Sequence, residues 1–433
     1  MKVEMNHSPG LCHLILEPEE QDILQPTERV SLGSRSVEIR LPWQLDPDTI
    51  HPDLLALCVM MITHPFVGKS LTFPKPVSKR FADHHNLSAS RYVIGPVDES
   101  LKPWSPAKNA RPGLAFSGGV DSTASLALMP PSTVPVFMDR PLRKKSLYDK
   151  DAVFNSCLEV ERLGYDMYVI ECDLEYVRSP VGFPVDVANS VPAILMAEHL
   201  NLDCIGFGTI MESTYGTGHR LYRDYPNGHH YTHWGGLFRA AGLPFILPVA
   251  GISEVGTSII CNAAPIGFAA QSCMRGTWKK PCLNCWKCFR KQLLDNAILD
   301  NQLDSAYLDD IFNNREACRF LSGIPIKHEN ILTWSTHRLN SNHPLFSLLK
   351  SRVEGEENDL TWLGKWYSPS IELIPEKYRS GIREKILQYL PEMNQEDEFM
   401  LTSWSMLELI ESPSTVEKSK LLVEKMSESL KSR

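Results

Sequence analysis

The chain has 433 residues, 43% hydrophobic and 22% charged, which suits two or three soluble domains with full cores. Its 44 basic and 52 acidic side chains leave a net charge of −8, which argues against a nucleic-acid polymer as partner. No apolar run is long enough to span a membrane, and the N-terminal MKVEMNHSPG has no apolar signal core, so a cytoplasmic protein without a membrane partner is expected.

Residues 1–110 are expected to form an α+β domain. Leu14–Leu16, Ser36–Leu41 and Arg91–Ile94 read as strands, the second with Val37, Ile39 and Leu41 on one face. Asp53–Thr63 reads as a buried helix opened by Pro52. Ser100–Pro112, with Pro103 and Pro106, reads as a linker.

Residues 111–300 alternate between strand and helix. Strands are expected at Leu114–Phe116, Val134–Met138, Met167–Ile170 and Cys204–Phe207, with helices at Thr123–Met129, Asp149–Leu163 and Ser190–Leu200. This spacing predicts an α/β fold, a parallel sheet with helices on both faces. Ligands in such sheets bind beyond the carboxyl ends of the strands, here Ser117, Asp139-Arg140, Glu171–Asp173 and Gly208-Thr209. Residues 301–433 read as a helical C-terminal region, with helices at 304–312, 314–321, 344–352 and 380–390 and a charged tail over 415–433.

Phe116-Ser117-Gly118-Gly119-Val120-Asp121-Ser122-Thr123 joins the first of those strands to a helix. The first amides of a helix lack internal partners, and its dipole favours an anion there. Gly118 and Gly119 permit close approach and positive φ. Asp121 suits a phosphate site only with a cation between them. The stretch lacks the Gly-Lys-Ser/Thr ending of a Walker A loop. The Gly68-Lys69-Ser70 string is discarded, because Thr63 stands where that motif needs its leading glycine.

Four of the eleven cysteines cluster as Cys273, Cys282, Cys285 and Cys288. A C-x8-C-x2-C-x2-C spacing lets four thiolates converge on one tetrahedral Zn²⁺, a closed structural site, with an iron–sulfur cluster as the rival. Lys279, Lys280, Lys287, Arg290 and Lys291 are read as offsetting its negative charge. The other seven cysteines read as small buried residues.

The FSGGVDST segment resembles the PP-loop of the N-type ATP pyrophosphatases, which split ATP into AMP and pyrophosphate. Together with the four-cysteine segment, it resembles the 7-cyano-7-deazaguanine synthase (QueC) family, more loosely over residues 112–295. The resemblance implies an adenine nucleotide alpha hydrolase-like, Rossmann-like fold with ATP, Mg²⁺ and Zn²⁺ as cofactors. It implies activation of a carboxylate on a 7-deazaguanine and its conversion through an amide to a nitrile. Some QueC-like proteins of anti-phage operons are enlarged at the N-terminus and attach a deazaguanine to a partner protein, and the long N-terminal part here fits them. Glu254 stands where QueC proteins carry a lysine, and the segment Gly208–Gly236 departs from their purine site. Pro184–Ser190, Glu212–Gly216, Ile252–Glu254 and Cys285–Cys288 resemble the UDP-muramoyl-dipeptide L-glutamate epimerase (MurL) family. A catalytically silent ATP-binding subunit is the reading from a different class.

These resemblances imply that Phe116, Ser117, Gly118, Gly119, Asp121, Ser122, Thr123, Asp139 and Gly208 bind the nucleotide. Glu212–Trp234, dense in polar and aromatic residues, is read as a loop closing over a planar, charged ligand. Glu212, Ser213, Tyr215, His219, Arg220, His233, Trp234 and Arg275 are the candidate substrate contacts, the arginines as carboxylate or phosphate forks. Asp121 and Ser117 are the expected catalytic residues of the loop, and Glu212 or Glu254 the base.

Overall fold

Leu114, Ala115 and Phe116 are all buried, as is every residue of Val134–Asp139. Strands buried on both faces form the middle of a covered parallel sheet. The computed structural model describes residues 1–87, 90–142 and 149–431. The strands of the first part are β1 (Lys2–Ser8), β2 (Leu11–Glu17), β3 (Ser31–Leu32), β4 (Ser36–Arg40), β5 (Ser70–Ser78) and β6 (Val93–Asp98). Those of the middle part are β7 (Arg111–Phe116), β8 (Val134–Asp139), β9 (Tyr168–Cys172), β10 (Arg178–Ser179), β11 (Leu202–Gly206) and β12 (Phe245–Ile246).

Ten strands make one sheet in the order β12-β11-β7-β8-β9-β4-β2-β1-β5-β6, and β3 pairs with β10 apart from it. From β12 to β9 every pairing is parallel. Strand order reverses direction between β7 and β11, so their carboxyl ends frame a crevice at a topological switch point. The pairings β9–β4, β4–β2 and β2–β1 are antiparallel, and β1–β5 and β5–β6 are parallel again. The sheet therefore runs unbroken from the N-terminal region into the parallel half. Asp139–Glu171 and Arg40–Glu171 pairings put one residue of β9 at the seam.

Helices α1 (Pro52–Thr63), α2 (Lys79–Leu87), α3 (Val120–Leu128), α4 (Lys150–Arg162), α5 (Val191–Leu195), α6 (Met211–Thr214), α7 (Gly236–Ala240), α8 (Glu254–Ala263) and α9 (Trp286–Ile298) cover the sheet and its rim. Two apolar cores lie on opposite sides of the strands. Ala115, Val134, Val136 and Met138 join the first with α1 and α5. Leu114, Phe116 and Phe137 join the second with α3, α4 and α8. That division is the period-two alternation of a strand.

The helix expected over Ser190–Leu200 is shorter. A 3-10 turn (Asp186–Ser190) leads into α5, and Asn201 at φ 52° turns the chain into β11. Strand β5 carries Pro74 and Pro76, which remove donors from its ladder, and its register with β6 shifts between Thr72 and Val77. The C-terminal region is helical, beginning with α10 (Ser305–Phe312), α11 (Arg315–Leu321) and α12 (Glu329–Arg338). Helices Pro344–Arg352, Glu376–Tyr389, Gln395–Thr402 and Pro413–Lys431 follow, and the last two residues of the expected tail lie outside the described residues. No helix among the described residues is long and apolar enough to cross a membrane.

Buried Asp53 ties the start of α1 to β5. Its carboxylate accepts from the Ser78 N–H at 2.8 Å and the Ser78 hydroxyl at 2.7 Å. Asp53→Ala should therefore cost about 1–3 kcal/mol by leaving two buried donors unpaired, read as a lower denaturation midpoint with unchanged slope.

Candidate functional site

Strand β7 ends at Phe116, and the chain turns through Ser117, Gly118 and Gly119 into α3. Gly118 sits at φ +72°, and a Cβ there would lie 2.8 Å from Val153. Gly119 is the N-cap of α3 and provides no side-chain cap, so the first amides of the helix keep their open donors. Ser122 Oγ lies 3.0 Å from Ser117 Oγ and donates to the Gly119 carbonyl at 3.1 Å, which holds the turn closed. Gly208, just past β11, packs on this helix end. A Cβ there would come within 2.6 Å of the Ser122 nitrogen, so only glycine admits this approach. The sequence-predicted Ser117, Gly118, Gly119, Ser122 and Gly208 thus meet at the switch point. Thr123 is buried behind them, and its hydroxyl has no partner.

A cavity of about 470 Å³ opens beside the loop, over the ends of β7 and β8. Phe116, Phe137, Met138, Phe183 and Met274 give it apolar walls, and Ser117, Arg140, Glu175 and Arg275 give it polar edges. Apolar walls next to open helix amides suit a planar aromatic ligand that carries an anion. Arg140 pairs with Glu175 at 2.9 Å. Arg275 lines the cavity while its guanidinium reaches Glu316 at 2.6 Å. Asp139 pairs with Lys150 of α4 at 2.7 Å, and burial pushes its carboxyl up despite that partner.

On the other side of the loop lies a buried network of charges. Asp121 Oδ1 accepts from Thr257 of α8 at 2.8 Å. One turn back, Glu254 opens α8 and pairs with Arg290 at 3.0 Å and Lys291 at 3.3 Å, both on α9. Lys291 also donates to Ser258 at 2.7 Å. The Glu254 N–H donates to the Glu212 carboxyl at 3.1 and 3.2 Å, and Asn330 of α12 donates to the same carboxyl at 3.1 Å. Glu212 and Glu254 are 2% and 3% exposed. Neither Arg290 nor Lys291 is positioned as an offset to the cysteines, as their sequence neighbourhood suggests. The helical turn directs them toward Glu254.

The two glutamates titrate apart. Burial and the neighbouring Glu254 charge push Glu212 up to about 8, so it is largely protonated at neutral pH. Burial opposes ionisation of Glu254 too, but the charges of Arg290 and Lys291 overcome it and hold that carboxyl well below its usual range. Asp121 is raised by burial, only partly offset by Lys291 and further raised by Glu254.

The four predicted cysteines converge. Their sulfur atoms all lie within 4.8 Å of one another, and Cys282 and Cys288 Sγ are 3.8 Å apart. Tetrahedral Zn–S bonds of about 2.3 Å put sulfurs ~3.8 Å apart, so the set has the size to hold one such metal. Cys273 Sγ accepts from the Cys282 N–H, and Cys285 Sγ caps α9 by accepting from the Cys288 N–H, both at 3.4 Å. The segment leading to Cys273 is bonded to the glycine loop, Gln271 N–H donating to the Gly118 carbonyl at 2.7 Å.

The segment Glu212–Trp234 does not behave as a single closing loop. Tyr215 is buried and stacks on Tyr222, edge-on to Tyr367. His233 and Trp234 are buried in a π-helical turn (Tyr231–Gly235), among His64, His85 and His229. Burial lowers His233 to about 3 and His64 to about 4, so both rings are neutral. Ser213, His219 and Arg220 are exposed, and the His219 carbonyl accepts from Trp404. Of the expected substrate contacts, Glu212 joins the charge network and Arg275 lines the cavity. Thr257, Arg290, Lys291 and Asn330 carry no motif of their own. A polar pair one α8 turn after Glu254 and the inward face of α9 were the available signals.

Metal analysis should find about one tetrahedral ion per chain, and Cys285→Ser should lose it, with a lower thermal midpoint. Glu212 also sets a pH dependence. Its carboxyl ionises near 4.5 when unfolded and near 8 when folded. Between those values the folded state holds the extra proton, so stability falls as pH rises from 4.5 to 8. The paired Glu254 is ionised in both states above about pH 6 and adds an opposite slope only at the acid end of the window, where its unfolded carboxyl is still partly protonated. Glu212→Gln should flatten this part of the stability–pH curve, measured by urea denaturation.

A family model described as a family of unknown function (DUF6395) matches residues 233–405. The matched stretch holds the four cysteines, Glu254 and Asn330, and begins after the glycine loop. No curated protein and no solved structure matches the chain.

Proposed function

We propose that the chain is a QueC-like ATP-dependent enzyme that adenylates a carboxylate and passes the acyl group to an amine. The carrying observation is the convergence on one helix end of open α3 amides, Asp121 and the apolar cavity walled by Phe116, Phe137 and Met138. In this reading the sheet from β12 to β9 is the Rossmann-like PP-loop domain. Adenosine occupies the cavity, and the phosphates lie over Ser117–Ser122. Asp121 and phosphate oxygens would hold Mg²⁺, which supplies neutralisation of phosphate charge. Zn²⁺ in the four cysteines would be structural, fixing the start of α9.

A substrate carboxylate oxygen attacks the α-phosphorus, and pyrophosphate leaves with the bond to the β-phosphate. An amine nitrogen then attacks the acyl carbon, AMP leaves, and the amine gives up one proton. The loop amides stabilise charge on the phosphates, and positioning provides most of the acceleration. Glu212 and Glu254 are the two candidate bases of this reading: Glu212 holds a proton at neutral pH, and Glu254 is held ionised by two cations and is a weak base. The QueC resemblance points to a 7-deazaguanine acid as substrate and to a nitrile, or an amide with a partner protein in anti-phage defence, as product. In the MurL-like alternative a Cα proton is removed after adenylation.

Incubation with α-labelled ATP, Mg²⁺ and 7-carboxy-7-deazaguanine or glutamyl peptides should release AMP and no ADP. Asp121→Asn should lower AMP release by ~10²-fold or more with the fold intact. Tight ATP binding without turnover of any acid would instead identify a silent nucleotide-binding subunit.

A further inference from the structure

A second cavity, of about 440 Å³, lies in the C-terminal helical region. It is framed by α12, by residues that follow the helix Pro344–Arg352, and by Met400–Ser412. Its chemistry is the reverse of an anion site. The lining contains Glu329, Glu354 and Glu408 and neither lysine nor arginine. Glu329 is neutralised by the buried guanidinium of Arg352 at 2.6 Å. Glu354 accepts from the uncharged Asn358 amide at 3.2 Å, and Glu408 is exposed at the rim. Met400, Trp404 and Met406 supply an apolar and aromatic wall.

Asn330 adds an observation independent of the acids. It is 1% exposed and lines this cavity. Its Nδ2 donates to Glu212 Oε1 at 3.1 Å, while its buried Oδ1 has no hydrogen-bond donor among the described residues. A buried amide oxygen without a donor is costly, and a ligand N–H would satisfy it. The acids at the rim favour a cation and repel a carboxylate or phosphate, and an indole face adds cation–π attraction.

We propose that this cavity binds a ligand carrying a protonated amine on an apolar body, with an N–H directed to Asn330 Oδ1. One side chain separates such a ligand from Glu212, and Glu212 touches the N-terminal turn of α8. In the adenylating reaction this is the side from which the amine nucleophile approaches, a clause that rests on the proposed function. Amine binding itself does not.

The test uses the full chain at pH 7 and isothermal titration calorimetry, with tryptamine as the probe amine and indole-3-propionate as its anionic counterpart. Tryptamine should bind saturably and at least about tenfold more tightly than the acid. The double variant E354Q/E408Q should weaken tryptamine by about tenfold or more, with an unchanged thermal midpoint. Equal binding of the two probes, or an unaffected double variant, overturns the proposal. A parallel titration with ATP and Mg²⁺ separates the two readings. Tryptamine binding without ATP binding would sink the adenylating function and leave the amine site standing, and the converse would do the opposite.

Discussion

The carboxylate of Glu254 is the point on which the interior around the site depends. It is the first residue of α8, its charge is held by Arg290 and Lys291 from α9, and its backbone N–H is held by Glu212 from α6. Glu212 in turn holds Asn330 from α12. Four helices distant in sequence are thereby joined through Glu254 and Glu212. Removing one partner of a buried ion pair costs about 3–5 kcal/mol, because the remaining charge has no water to return to. The arrangement also forces the two carboxyls apart in acidity. Burial, and then the charge on Glu254, disfavour a negative charge on Glu212, so that carboxyl keeps its proton near neutral pH.

The glycine loop depends on the same helices. Thr257, one turn into α8, holds Asp121, and the Cys261 thiol donates to the Val120 carbonyl at 3.3 Å. From the other side, the chain before Cys273 is bonded to Gly118. The cysteine cluster and the charge network therefore brace the same helix end. A metal in the cysteines would secure the first turn of α9, whose later residues neutralise Glu254. The cysteine cluster and the candidate site are coupled through that helix and through the Gln271–Gly118 bond.

Much of the architecture was legible in local pattern. The strands β7, β8, β9 and β11 follow from short apolar runs alternating with helical stretches, the loop after β7 from its paired glycines, and the converging thiols from the C-x8-C-x2-C-x2-C spacing. The pairing of β4 with β9 was not legible. Nothing in Ser36–Arg40 or Tyr168–Cys172 announces that two regions far apart share a ladder, because strand pairing is decided by non-local register. β1 was also missed, since its burial pattern lacks clean alternation, and β5 was masked by its two prolines. Polar and aromatic density past β11 suggested one binding loop, but tyrosine and histidine are also core-forming rings, and Tyr215, His233 and Trp234 pack inward.

What the sequence determined by itself is local. Gly118 at positive φ, the open N-terminus of α3 and the clustered thiols each follow from one short stretch of chain, whose backbone geometry leaves little choice. The tertiary structure decided which charges meet. Glu212, Glu254, Arg290 and Asn330 acquire their charge states and bonds only through desolvation and through one another, and both depend on distances that no spacing along the chain encodes. The same is true of Gly208, a plain glycine in sequence, whose missing Cβ lets β11 approach the loop.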